Sequence, residues 1–127
     1  MKKFYFFILA ASGVWWYASH RFNFSDTLVY AHKNLKASWA PATEYYVGVV
    51  YYQRADYQNS EDAFNMLLTD FPAGEYEARG LLRLSEAAEE NRDFQTAKDA
   101  VARYLEEYPD GPEKAMAEKR REYLLNR

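Results

Sequence analysis

The stretch from Pro41 to Pro109 states one pattern twice. Ala55-Asp56-Tyr57, Ser60, Phe64, Leu67 and Phe71-Pro72 are echoed by Arg92-Asp93-Phe94, Ala97, Val101, Tyr104 and Tyr108-Pro109, each pair 37 positions apart. Units that recur at such a period bury their apolar faces only by stacking on one another, so the period predicts a helical repeat architecture. Proline lacks a backbone N–H and cannot continue a helix, so Pro72 and Pro109 each close a unit. The repeat points to a protein-interaction module and leaves the partner open.

The unit resembles the tetratricopeptide repeat, a helix–turn–helix of about 34 residues. The extra length falls in the turn Ala73-Gly74-Glu75. The resemblance implies an all-α, short α-solenoid of antiparallel helix pairs over residues 41–109. It places the small-residue helix contacts at Gly48 and Ser60, then at Ser85 and Ala97. The larger packing positions become Val47, Tyr51 and Phe64, then Leu81, Leu84, Ala88 and Val101. Two positions depart from the pattern: Glu44 stands where the family has a large residue, and Leu67 and Tyr104 stand where it has a small one. With the aromatic-Pro ending and the following Gly, the large residues at Leu67 and Tyr104 resemble the envelope branch of the family, the BamD-type lipoproteins and the Tol–Pal-associated proteins.

At 127 residues the chain holds one domain with an appendage. Two units bury little, so flanking helices must complete the stack. The net charge of −3 argues against a nucleic-acid partner, which requires a basic face. There is no cysteine, which excludes disulfides, thiolate metal sites and a lipid-bearing cysteine within these residues.

Residues 1–20 open with Met1-Lys2-Lys3 and run apolar from Phe4 to Ala18. The small-residue pairs that would suit cleavage lie too early, so the segment is read as an uncleaved transmembrane anchor rather than a removed signal. Trp15, Trp16 and Tyr17 would sit at an interface, and the repeats would lie in the periplasm as part of a single-pass membrane protein. Residues 21–40 form a linker and a half-repeat helix starting at Ser25-Asp26. Helices are predicted over 42–55, 58–70, 75–91 and 94–107. Residues 110–127 hold a capping helix, because Glu118, Arg121 and Glu122 stand where Leu81, Leu84 and Ser85 stand one unit earlier.

No catalytic constellation, phosphate loop or metal-ligand spacing is present, so the sequence predicts no enzyme, no cofactor, no metal site and no small-molecule substrate. His20 and His32 lie twelve apart and read as surface residues. Glu86, Glu89 and Glu90 share one helix face and read as a solvated or peptide-binding surface. In proteins of this kind the first helix of each unit lines a concave groove. Carried over, that face is Ala42, Tyr45, Val49, Tyr52 and Gln53, then Arg79, Leu82, Glu86, Glu89 and Glu90, aromatic at one end and acidic at the other. The expected function is a membrane-anchored adapter that holds a protein partner at the bacterial cell envelope. The alternative is an accessory structural subunit of a larger membrane complex.

Overall fold

The computed structural model describes residues 2–21 and 24–127, with side chains described for 4–16 and 24–127. Seven helices and no strand occur among them. They are α1 (Lys2–Arg21), α2 (Phe24–Lys33), α3 (Ala40–Gln53), α4 (Tyr57–Asp70), α5 (Glu77–Glu90), α6 (Phe94–Glu107) and α7 (Lys114–Leu124). From α2 onward each helix packs on the next, with the closest pairings α3 on α4, α4 on α5 and α5 on α6. The result is a tetratricopeptide-like stack of antiparallel helix pairs.

The turns within the units are built alike. Asp56 caps α4 by accepting the Asn59 N–H at 3.4 Å, and Asp93 caps α6 by accepting the Thr96 N–H at 3.2 Å. The residue before each cap, Ala55 or Arg92, turns the chain with a φ of 60°. Its successor's N–H returns to the preceding helix, Asp56 to Tyr51 O at 2.9 Å and Asp93 to Ala88 O at 2.8 Å. The turns between units follow the same period three times. Ala37 N–H bonds Asn34 O, Gly74 N–H bonds Phe71 O, and Gly111 N–H bonds Tyr108 O, at 3.0 to 3.1 Å. The turn after α2 thus matches those after α4 and α6, which makes α2 the second helix of a half-unit.

Within each unit the helices meet at the small residues. A Cβ on Gly48 would lie 2.7 Å from the Phe64 ring, so α3 and α4 touch there only because the side chain is missing. The Ser60 hydroxyl donates to Gly48 O at 2.7 Å, and one unit later the Ser85 hydroxyl donates to Ala97 O at 2.9 Å. The two bonds join equivalent positions with donor and acceptor helix exchanged. All four residues are buried. The main core runs through Phe64, Leu67, Leu81, Leu84, Ala88, Val101 and Tyr104, and closes against Ala117 and Leu124 of α7. A satellite core of Leu28, Val47, Tyr51 and Ala63 fixes α2. Glu118, Arg121 and Glu122 are exposed on α7, which ends the stack in a solvated face.

The amino-terminal expectation requires a correction. The segment is helical, but among the described residues no helix is long and apolar enough to cross a membrane. The apolar run stops short of the roughly 20 residues a span needs. The helix reaches its 20 residues only by including Lys2, Lys3, Ser19, His20 and Arg21. Within the run, Ser12, Gly13 and three consecutive aromatic residues with polar ring atoms lower the mean hydropathy further. The single-pass reading, with a periplasmic domain held by that span, is therefore withdrawn.

Candidate functional site

The candidate site is the face made by the first helices of successive units. Tyr45 from α3, Arg79, Leu82, Arg83 and Glu86 from α5, and Glu113 and Met116 at the start of α7 line one cavity of about 340 Å³. Helix α5 places Arg79, Leu82, Arg83 and Glu86 there because residues three, four and seven apart share a helix face. Four of the groove positions derived from the repeat, Tyr45, Arg79, Leu82 and Glu86, come together in this cavity. Tyr45 and Leu82 are buried in its wall rather than displayed on it, at 6% and 5% exposure. The Tyr45 ring packs edge-on against Phe64, at 5.9 Å between centroids, and tilts over Tyr76 at 5.1 Å. It is a core residue whose edge reaches the groove.

Glu89 and Glu90 line a different depression of about 270 Å³, with Arg92, Phe94, Tyr123 and Arg127. Val49, Tyr52 and Gln53 line neither cavity. Tyr52 is half-buried with its ring 5.4 Å from that of Tyr57. Burial raises the pKa of its phenol, and the charges of Glu86 and Glu90 add to the rise. Tyr52 therefore lies within the field of the α5 carboxylates, on the same side of the stack.

The acidic end is countered from within. Arg83 reaches Glu86 at 3.5 Å, and Arg120 of α7 pairs with Glu89. The groove thus presents mixed charge around an apolar floor, in place of an acidic pole. Arg83, Glu113, Met116 and Arg120 escaped the sequence reading. Glu113, Met116 and Arg120 belong to the third unit, where only the repeated Asp110-Gly111-Pro112 turn signals that the pattern continues.

The sequence matches the family described as YfiO, outer membrane lipoprotein, over residues 39–118, more than half of the chain. The chain belongs to the YfiO family. The match begins at Trp39, just before α3, and ends inside α7, so it covers both full units and every residue lining the groove cavity. Helices α1 and α2 lie outside it. No curated protein matches the chain. YfiO membership sets the chain in a tetratricopeptide-type protein-interaction family.

Proposed function

We infer that this chain is a protein-binding scaffold of the bacterial cell envelope, of the BamD and Tol–Pal-associated kind, and that its groove holds an extended or helical segment of a partner. The observation that carries the reading is the single cavity lined by the first helices of three consecutive units. One unit alone offers no such surface, so the stack exists in part to assemble it. The outer-membrane description of the matching family supports the envelope as its place of work.

The chemistry of the lining describes the partner. Met116 offers apolar contact, while Arg79 and Glu113 flank it with opposite charges. A partner segment with an apolar anchor between a basic and an acidic residue fits best. Tyr52 and Gln53 extend the face towards its aromatic end, and a longer segment would run over them. A second reading, a stoichiometric subunit of a larger envelope complex, is favoured by the exposed aromatic side chains of α1, Phe4, Phe6, Phe7, Trp15 and Trp16.

Affinity capture from gently solubilised envelopes tests both. The exposed pair Arg79→Ala and Met116→Ala should leave the melting temperature within about 3 °C of the parent and reduce partner recovery at least about tenfold. Undiminished recovery by that folded double variant would remove the groove assignment. Recovery in a fixed one-to-one ratio with other subunits would favour the second reading, and substoichiometric recovery the first.

A further inference from the structure

Among the described residues, Glu44, Glu61 and Glu77 are the glutamates buried in this fold. Two of them are provided for. Glu77 accepts bonds from the Tyr108 hydroxyl at 2.9 Å, from the Ala73 N–H and from Arg103 at 3.4 Å. Glu61 accepts the Asn91 amide at 3.0 Å. Glu44 differs: it is fully buried on α3, and neither of its carboxyl oxygens has a hydrogen-bond partner. An unpaired buried carboxylate is among the most costly groups a small protein can hold. The fold does not require it, since the equivalent position one unit later is Leu81, also buried.

The space beside Glu44 is not apolar. Asp70 at the end of α4 approaches it, and Asp70 Oδ2 lies 2.8 Å from Nδ1 of His32 on α2. One ligand atom from each of His32, Glu44 and Asp70 falls within 4.8 Å of the other two. Two carboxyl groups face each other here, and a hydrogen bond between them exists only if one keeps a proton. With both ionised, the pair needs a cation between them, and a divalent ion would balance the two charges in full.

We propose that His32, Glu44 and Asp70 form a binding site for a divalent transition cation of the zinc class, which clamps α2 onto α3 and α4. An imidazole with two carboxylates is a donor set such ions accept, and three protein ligands leave a fourth position for water. Bonds of about 2.0–2.2 Å hold neighbouring ligands roughly 3.3 Å apart, so closing the site takes side-chain shifts of about 1 Å or so. The ligands grade from core to solvent: Glu44 is wholly covered, the Asp70 side chain is 5% exposed and that of His32 is 52% exposed. Ion and water therefore have an entry at His32. The ligands lie on three helices, 12 and 38 positions from His32, so no local spacing announces them. The site lies apart from the groove and does not depend on the partner-binding reading.

The test uses the full chain, stripped of metal with a chelator. Equimolar Zn²⁺ should raise the melting temperature by several degrees, with chelator reversing it, and Co²⁺ should give visible d–d absorption at one ion per chain. Glu44→Leu, which copies Leu81, should melt at or above the metal-free parent and lose both responses. His32→Ala, a change at an exposed side chain, should weaken binding at least about tenfold. His20→Ala should bind as the parent does. No Zn²⁺ response in the parent, or an unchanged response in either His32→Ala or a folded Glu44→Leu, overturns the proposal and leaves Glu44 as a protonated core residue.

Discussion

Buried carboxyls give this chain its pH dependence, and Glu61 is the one whose titration crosses neutrality. Burial raises its pKa to about 7 from an ordinary 4.5, and the neighbouring Asp93 carboxylate adds to the rise. Asp93 moves the opposite way, held down by its bonds from Glu61 and from Thr96. Glu61 is thus the member of this pair that holds a proton near neutral pH in the folded state. Between about 4.5 and 7 the folded state binds that proton while the unfolded chain releases it. This contribution to stability is therefore present at the acid end and lost as pH rises through 7, because stability falls with pH wherever the native state holds more protons. The Asp93 contribution has the reverse sign: it is present above the ordinary aspartate range and lost as pH falls through the depressed value. Glu61→Gln keeps a donor for Asp93 and cannot ionise. It should melt about 5 °C or more above the parent at pH 8 and converge with it near pH 5. Melts of both proteins across that range check the sign, and a constant difference at both ends would assign the effect to packing.

Among the elements, the helix pair owes its geometry to side chains that are nearly absent. Gly48 against Ser60 and Ser85 against Ala97 let backbones approach until a serine hydroxyl reaches the opposite carbonyl. Only small groups fit there, and a charge has no partner. Ala97→Glu should abolish the cooperative melt, since a buried unpaired carboxylate costs about 3 kcal/mol or more and a domain of this size has roughly 5 kcal/mol in reserve. Glu90→Ala, at an exposed position, should melt with the parent. Equal melting temperatures for all three would mean that α5 and α6 do not meet at Ala97. Helix register also accounts for the charged surface of α6. Arg103 bonds Glu107 at 3.0 Å, as the four-residue spacing leads one to expect, whereas Asp99 takes Gln95 instead at 2.8 Å. Arg103 turns partly inward to Glu77, an inter-unit contact that spacing along one helix does not express.

For the molecule as a whole, the repeat stack is expected to fold without α1. Every described side chain of α1, residues 4–16, is exposed, whereas α2 is sealed by Leu28 and Ala31. Removing residues 1–23 should leave the melting temperature within about 2 °C of the full chain, while a loss greater than that would show that α1 contributes to the fold. What the sequence determined by itself is the period, and with it the all-helical class, the small-residue contacts and the solvated last helix. These are local or repetitive signals: a turn residue acts on its own backbone, and a repeat writes its packing contacts at a constant offset. The tertiary structure decided the rest. It set Tyr45 into the core, drew Glu113 and Met116 of the third unit into the groove, and paired Glu86 and Glu89 with arginines. It also gathered His32, Glu44 and Asp70 from three helices. Each of those outcomes depends on the distance between side chains far apart in the chain, and that distance exists only once the helices have stacked.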